Sequence, residues 1–305
     1  MKAILATLAA LAFCESSLVA VEKVRISSFS TILTEVAEKV GGDRVTLTAH
    51  VKPGIDPHEF EPRPADLKTV ADSQLVLLSA KHMEGYVNKL QEATGGKTVF
   101  LEVGDQFPSL KIKGGGGHSH GHGKGHDHGK EEVVEDPHWW HSVANVQRAV
   151  RVVRDALVKI APGDKAVFEA NATAYLAELA GLQKWVKVEI AKLPRNKRKL
   201  VTSHDAFQYF AKENGFTLYS VEGISTADQP SSKQVGELIK LIKEQGVKAV
   251  FAENIENPKV LQEITRETGA ALGKPLHADG LGEGEAGTYI GMYKSNVSAI
   301  VEALK

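Results

Sequence analysis

Four separated segments of the chain carry side chains that are able to bind a metal ion. They are Asp56-Pro57-His58, Asp136-Pro137-His138, Ser203-His204-Asp205 and Ala278-Asp279-Gly280. Imidazole nitrogens with one carboxylate oxygen suit a tetrahedral zinc ion, whereas magnesium, calcium and manganese prefer oxygen and six or more ligands. The four segments therefore predict a zinc site of three histidines and one aspartate. Catalytic, structural and transport sites all use these donors, so the ligand set leaves the purpose of the site open.

Three of the candidate ligands directly follow predicted strands. His58 comes just after a strand that ends near Val51, and His204 and Asp279 follow strands in the second half of the chain. Ligands of open α/β sheets bind beyond the carboxyl ends of the strands. A histidine taken alone is more often a hydrogen-bonded polar residue than a ligand. Four placements that agree in position and chemistry favour a metal site.

Prolines restrict the backbone beside two of the histidines. Pro57 precedes His58 and Pro137 precedes His138. Because proline fixes its own φ and limits the residue before it, we expect both imidazoles to be held in place before metal binds.

A glycine- and histidine-rich segment precedes the second candidate ligand. Residues 114–129 contain almost no apolar side chain, so they cannot bury enough surface to offset the entropy of ordering them. We predict a mobile surface loop whose weak nitrogen sites collect zinc near the main site. The alternative is a solvated spacer that binds metal only in vitro. The histidines of this loop are His118, His120, His122, His126 and His128.

Length and composition predict a globular protein of two domains. The chain has 305 residues, of which 42% are hydrophobic and 25% are charged, as in ordinary soluble proteins. The formal net charge of -1 offers no field that would gather nucleic acid or anionic lipid. We expect a monomer that does not bind nucleic acid.

The N-terminus reads as a secretory signal over residues 1–20. Lys2 is followed by an apolar run to Phe13 that is too short for a membrane anchor, and cleavage is expected after Ala20. Cys14 is the only cysteine and resembles a lipoprotein attachment site, but the bulky Phe13 precedes it. We favour a soluble periplasmic product, with lipid attachment at Cys14 as the alternative. A mature chain without Cys14 has only nitrogen and oxygen ligands to offer.

The elements that must position these residues form two similar series. Short β-rich runs alternate with amphipathic helical stretches, which is typical of βαβ units around a mainly parallel sheet. Predicted strands are Val24 to Phe29, Val45 to Val51, Leu75 to Leu78 and Thr98 to Leu101, then Lys199 to Thr202, Thr217 to Ser220, Val247 to Ala252 and Pro275 to Ala278. Predicted helices include Met83 to Ala93, Ser142 to Ile160 and the long Asp164 to Leu193.

This pattern predicts an α/β fold with two similar domains joined by a long, rigid helix. The predicted boundaries are 21–141 for the N-terminal domain, 142–194 for the helical connection and 195–305 for the C-terminal domain. A helix of this length makes a stiff connection between domains.

The chain resembles the zinc- and manganese-binding proteins of bacterial ABC transporters, the ZnuA-like family, from about Val24 to the C-terminus. The resemblance rests on Gly54-Ile55-Asp56-Pro57-His58-Glu59-Phe60-Glu61-Pro62, Asp136-Pro137-His138-Trp139-Trp140, Thr202-Ser203-His204-Asp205-Ala206-Phe207-Gln208-Tyr209-Phe210 and Gly287-Thr288-Tyr289-Ile290-Gly291-Met292-Tyr293. Together these motifs are highly specific.

The resemblance implies a metal site at the domain interface, with His58 and His138 from one half and His204 and Asp279 from the other. It also implies capture of Zn²⁺ in the periplasm and delivery to an inner-membrane ABC permease with its ATPase. Manganese members look similar but carry glutamate at the third ligand, where this chain has His204. Manganese transport, a periplasmic zinc buffer or chaperone, and an adhesin on the same scaffold stay open as alternatives.

Several other polar residues have suitable chemistry and are interpreted as structural. Glu253 or Glu256 could orient a ligand histidine, although a solvated or capping role is favoured for both. His141 places a second imidazole beside His138. The remaining candidates of this kind are His50, His82, His277, Glu59 and Asp205.

A secreted zinc hydrolase is the alternative from a different functional class. Glu59 would be its base, but four protein ligands leave no coordination position for a reactive water. The sequence also lacks a His-Glu-x-x-His segment and a glycine-flanked nucleophilic serine. We therefore predict that the chain is not an enzyme.

Overall fold

A four-stranded parallel sheet forms the N-terminal domain in the computed structural model. The structure describes residues 22–113, 133–226, 230–255 and 257–305, so the predicted signal segment, Cys14 and the histidine-rich loop lie outside it. The strand order is β2-β1-β3-β4. The strands are β1 (Val24–Ser28), β2 (Val45–Ala49), β3 (Leu75–Leu78) and β4 (Val99–Glu102).

The composition of the central strand β3 accounts for the burial of this sheet on both faces. All four of its residues are apolar and fully buried. A continuous apolar strand is typical of parallel sheets that lie between layers of helices. The helices of this part are α1 (Thr31–Gly41), α2 (Pro64–Ala71) and α3 (Val87–Thr94).

The third of these helices begins later than the sequence predicted. The predicted start at Met83 is wrong, because the helix begins at Val87. Just before Met83, Ala80, Lys81 and His82 have φ angles of 70°, 55° and 67°, so the chain enters this region in a left-handed conformation and not as a right-handed helical turn.

A short antiparallel hairpin, absent from our predictions, brackets residues 114–132. Its strands are β5 (Lys111–Lys113) and β6 (Val133–Glu135). Two long helices follow, close to their predicted positions. They are α4 (Val143–Ile160) and α5 (Lys165–Ala191).

The second half repeats the strand order of the first. Strand β7 (Lys199–Thr202) pairs in parallel with β8 (Thr217–Ser220), and β9 (Ala249–Val250) pairs in parallel with β10 (Ala271–Leu272). A parallel bridge from Thr202 to Phe251 connects the two pairs. The resulting order, β8-β7-β9-β10, matches β2-β1-β3-β4. The helices of this half are α6 (Gln208–Asn214), α7 (Ser232–Gln245), α8 (Lys259–Thr268) and α9 (Tyr289–Leu304).

One predicted strand of the second half was wrong. Residues 275–278 lie beyond β10 and make only one isolated parallel bridge, between Leu276 and Glu253. The two-domain α/β fold with mainly parallel sheets is confirmed, and the boundaries at 141 and 194 stay a prediction.

The long helix α5 connects the two halves rigidly. Its 27 residues extend over about 40 Å. The Arg198 guanidinium donates hydrogen bonds to the carbonyl oxygens of Ile190 and Leu193, which satisfies the C-terminal end of the helix, and to that of Asn214 farther along the chain.

The halves also share one apolar core. Buried side chains of both sheets and of α4, α5 and α9 belong to a single contiguous cluster. Within it, the Glu35 carboxylate accepts hydrogen bonds from the Tyr175 hydroxyl at 3.1 Å and the Tyr289 backbone N–H at 2.5 Å. This carboxylate therefore ties α1, α5 and α9 together. Because the interface is large and apolar, the two domains are held in a defined relative position. Across the described residues, every helix is too short or too polar to cross a bilayer.

Candidate metal centre

The four predicted ligands meet at one point between the two domains. The Nε2 atom of His138 lies 3.2 Å from Nε2 of His58 and 3.3 Å from Nε2 of His204. Oδ1 of Asp279 lies 3.4, 3.3 and 3.4 Å from the Nε2 atoms of His58, His138 and His204. A tetrahedral zinc site with metal–ligand distances of about 2.0 Å has ligand atoms about 3.3 Å apart. Five of the six distances therefore match the edges of one tetrahedron.

The cluster is buried and electron-rich. His138 and His204 are fully buried, and only 1% of the Asp279 side chain is exposed. Neither carboxylate oxygen of Asp279 accepts a hydrogen bond from any residue that the structure describes. An unpaired buried carboxylate is costly unless a cation compensates it. This buried carboxylate, together with the three imidazoles, suits a divalent metal ion.

Both Asp-Pro-His segments fold into the same local turn. The backbone N–H of His58 donates to Oδ1 of Asp56 at 2.8 Å, and the backbone N–H of His138 donates to Oδ1 of Asp136 at 2.9 Å. An aspartate that accepts from the backbone two residues later makes an Asx turn. Such turns fix the backbone at both histidines, in agreement with the restriction expected from the neighbouring prolines.

Asp136 also contacts the imidazole that follows it. Its Oδ1 lies 2.9 Å from Nδ1 of His138, so the His138 ring is oriented from behind with Nε2 toward the cluster. Our sequence interpretation missed this role. The repeated Asp-Pro-His spacing was the signal that would have found it.

A second carboxylate, Glu253, orients His204. Its side chain is buried, its Oε1 accepts the backbone N–H of His204 at 3.1 Å, and its Oε2 makes a very short contact with Nδ1 of the same residue. The solvated or capping role that we favoured for Glu253 is therefore wrong, and the orienting role is correct. Glu256 lies outside the described residues.

The backbone carbonyl before Asp279 is clamped by the N-terminal half. The oxygen of Ala278 accepts hydrogen bonds from the indole N–H of Trp140 at 2.7 Å and from Nε2 of His141 at 2.8 Å. His141 therefore lies next to the cluster but is not part of it, and its imidazole donates to a backbone carbonyl. Burial and the nearby His138 lower the pKa of His141 to about 3. The ring is therefore neutral, and its single proton lies on Nε2, which donates to the Ala278 carbonyl.

The residues after Asp279 are held from the same side. The hydroxyl of Thr31 accepts the backbone N–H of Leu281 at 2.9 Å. A Cβ at Gly280 would lie only 2.6 Å from that hydroxyl oxygen, so glycine is required at this close approach. Asp279 therefore belongs to the C-terminal half in sequence but is fixed by contacts with the N-terminal half.

The electrostatics of the metal-free cluster favour protonated imidazoles beside an ionised Asp279. Burial would raise the pKa of Asp279, but the imidazoles around it, His204 foremost, hold that pKa well below its usual value. Burial would lower the pKa of His204, yet Glu253 and Asp279 raise it well above the usual value. Burial would lower the pKa of His138 too, but the hydrogen bond with Asp136 and the nearby Asp279 carboxylate outweigh burial and raise that pKa. Without metal, these imidazoles retain protons that a metal ion must displace.

The other candidate residues lie apart from the cluster. His50 stacks on Phe29 and contacts Ser27 and Asp66, each about 3 Å away, and the Oδ1 of Asp205 accepts from Gln208 at 2.8 Å. His82 and Glu59 are exposed, and His277 is half-buried. The loop histidines lie outside the described residues, so their collecting role stays a prediction.

Comparison with known proteins gives a consistent result. Residues 27–303 match the family model described as "ZnuA: Zinc-uptake complex component A periplasmic". The manganese-binding lipoprotein MntA of Bacillus subtilis is 31% identical over 93% of this chain and 90% of its own length. The iron-binding protein YfeA of Yersinia pestis is 28% identical over 92% of this chain and 86% of its own length. The solved structure of the periplasmic zinc-binding protein TroA from Treponema pallidum matches with a TM-score of 0.82 at 26% identity, over 93% of this chain and 99% of that one.

The position of His141 generates a first prediction. His141→Phe keeps the ring packed against Phe207 but removes one donor to the Ala278 carbonyl. We expect a loss of about 1–2 kcal/mol in the free energy of unfolding, measured by chemical denaturation. Metal affinity should fall by less than in His138→Ala, because His141 acts only through the backbone beside Asp279. Equal losses in both variants would mean that His141 is itself a ligand.

Proposed function

The chain belongs to the ZnuA family of zinc-uptake complex components, and from this premise we propose that it captures one Zn²⁺ ion and delivers it to an ABC permease for uptake. At the level of the family it is a metal-binding substrate-binding protein of an ABC transporter, a class that works with a permease and its ATPase. The choice of zinc and the ligands His58, His138, His204 and Asp279 are the proposal. The cargo passes through without chemical change.

One observation carries the proposal. Three imidazole nitrogens and one carboxylate oxygen converge at 3.2–3.4 Å from their neighbours in a buried pocket between the domains. This nitrogen-rich, four-membered donor set is the one that zinc prefers. A six-coordinate ion such as Mn²⁺ would need additional oxygen ligands.

Manganese is the second candidate cargo, and a specific finding favours it. A relative with 31% identity is named a manganese-binding lipoprotein. The same scaffold therefore accompanies different metals, and only the donors at the site argue for zinc in this chain. Because zinc binds more tightly than manganese at most nitrogen and oxygen sites, uptake of each ion by cells that depend on this protein decides between them.

The geometry supports binding and release rather than hydrolysis. Four protein donors complete a tetrahedron and leave no position for a reactive water. Glu59, the base of the hydrolase alternative, is exposed at the surface. A periplasmic zinc buffer with the same site would bind zinc equally well but would not support its uptake into cells.

The location of the mature chain is part of the proposal. Relatives such as MntA are named lipoproteins, which favours the lipid-anchored alternative at Cys14 over a freely soluble product. Either form places the protein outside the cytoplasm, where it meets incoming metal.

The anchoring proposal is tested by cell fractionation. We expect the wild-type chain to sediment with membranes and Cys14→Ser to appear in the soluble fraction, because only the thiol carries the lipid. Mass spectrometry of the mature N-terminus is the second measurement. A soluble wild-type chain that begins after Ala20 would support the cleaved, unanchored form.

The ligand assignment is tested by titration of a chain that lacks residues 114–129. His58→Ala and His204→Ala should each weaken zinc binding by at least about 100-fold, because each removes one of four direct donors. The measurement is competition with a chelator, repeated with manganese. His50→Ala is the matched control, since that imidazole lies outside the cluster. Unchanged zinc affinity in both ligand variants, or tighter manganese than zinc binding in the parent chain, contradicts the proposal.

Zinc affinity should also depend on pH. An imidazole with a raised pKa keeps its proton to higher pH, and that proton must leave before Nε2 can bind metal. The pKa values of His138 and His204 are both raised. Affinity should therefore be full above these raised values and should begin to fall before pH drops to about 6.5, the ordinary histidine value. Isothermal titration in buffers of different ionisation enthalpy measures the released protons. A flat profile between pH 8 and about 5.5 would exclude displacement of these protons.

A further inference from the structure

Two buried carboxylates stand behind the two fully buried ligand histidines. Asp136 contacts Nδ1 of His138, and Glu253 contacts Nδ1 of His204. Both imidazoles turn Nε2 toward Asp279. The two carboxylates come from different halves of the chain, so the arrangement arises twice.

The two carboxylates differ in how they bind. Glu253 uses both oxygens, with Oε1 on the backbone N–H of His204 and Oε2 on its ring nitrogen. Asp136 uses Oδ1 for both the backbone N–H and the ring nitrogen of His138, each at 2.9 Å. A carboxylate only accepts hydrogen bonds, so each contact requires a proton on Nδ1.

A proton on Nδ1 leaves the lone pair of a neutral imidazole on Nε2. We propose that Glu253 is a positioning residue that fixes His204 in this tautomer and thereby makes His204 a zinc ligand. Asp136 does the same for His138. This inference rests on the proposed function and adds the residues that make the nitrogen donors available.

Because of this difference in geometry, replacing the carboxylate by an amide should disturb the ring tautomer more at Glu253 than at Asp136. An asparagine at 136 can accept both hydrogen bonds with its single carbonyl oxygen, so the tautomer of His138 survives. A glutamine at 253 has one accepting oxygen and one donating NH₂ for two donors. If its oxygen accepts from the fixed backbone N–H of His204, its NH₂ faces Nδ1 and moves the ring proton to Nε2, where zinc must bind.

The same residue affects the choice of metal. Zinc gains more from imidazole donors than manganese does, because manganese favours oxygen ligands. A carboxylate that accepts from Nδ1 also makes the imidazole a stronger donor. Loss of Glu253 should therefore weaken zinc binding more than manganese binding.

The experiment compares three substitutions in the full-length chain. They are Glu253→Gln, Asp136→Asn and the control Asp205→Asn, which changes a half-buried carboxylate next to His204 whose partner is Gln208. Zinc and manganese affinities are measured against a competing chelator that keeps weak sites empty. Thermal melting of the metal-free proteins monitors folding, and the visible spectrum of bound Co²⁺ reports the ligand field.

We expect Glu253→Gln to lower zinc affinity by about 10–100-fold, with a smaller loss for manganese and a shifted Co²⁺ spectrum. Asp136→Asn should lose less than about tenfold, because the tautomer is kept and only the charge is removed. Asp205→Asn should bind zinc like the parent. Equal losses for zinc and manganese together with a lowered melting temperature would show a merely structural role and overturn the inference.

If a variant fails to fold, a measurement on the unaltered protein still tests the inference. In the zinc-loaded chain with ¹⁵N-labelled histidine, His204 should show a proton on Nδ1 and metal on Nε2. Metal on Nδ1 would overturn the inference. His204→Ala separates the two levels of the argument: if it weakens zinc binding and Glu253→Gln does not, only this inference fails. If His204→Ala leaves zinc binding unchanged, the proposed ligand set fails.

Discussion

The mutual approach of four electron-rich atoms in a buried pocket is the constraint on which the rest of the structure depends. Three imidazole nitrogens and a carboxylate oxygen lie within 3.4 Å of their neighbours, and the carboxylate accepts no hydrogen bond from the described residues. Such groups lose their hydration on burial, and without metal only the raised pKa values of His138 and His204, which keep protons on these rings, compensate the carboxylate. A cation at their centre supplies the missing interaction. The fold must therefore supply enough apolar burial elsewhere to keep this arrangement assembled between cargo ions.

That burial comes from the contiguous core beneath the site, and the local contacts supply the precision. Two Asx turns fix His58 and His138, and the clamped carbonyl of Ala278 fixes Asp279. The contacts of Ala278 cross between the halves of the chain, so the ligand that arrives last in sequence is positioned by residues of the first domain. The four ligands are therefore not held as two by each domain, because the first domain also positions Asp279.

Much of the fold and of the ligand cluster was accessible from the sequence, for identifiable reasons. Strand β3 is continuously apolar, and the long helix α5 is bounded by Gly163 and Pro194, so local chemistry determined both. The left-handed run of Ala80, Lys81 and His82 ahead of helix α3 was not accessible, because it is contrary to their intrinsic preferences and depends on tertiary contacts. Glu253 was misjudged for a related reason. It lies 49 positions from His204, and nothing local to either residue indicates that they meet.

The surroundings of His204 bear on how one scaffold accompanies different metals. Relatives named for manganese, iron and zinc share this family or fold at 26–31% identity, so the same scaffold accompanies proteins named for different metals. In this chain the third donor cannot be exchanged in isolation. A glutamate in place of His204 would bring a second carboxylate against the buried Glu253, and two like charges in a dry pocket repel strongly. The nitrogen-rich character of the site is therefore a property of the pocket around the ligand as well as of the ligand itself.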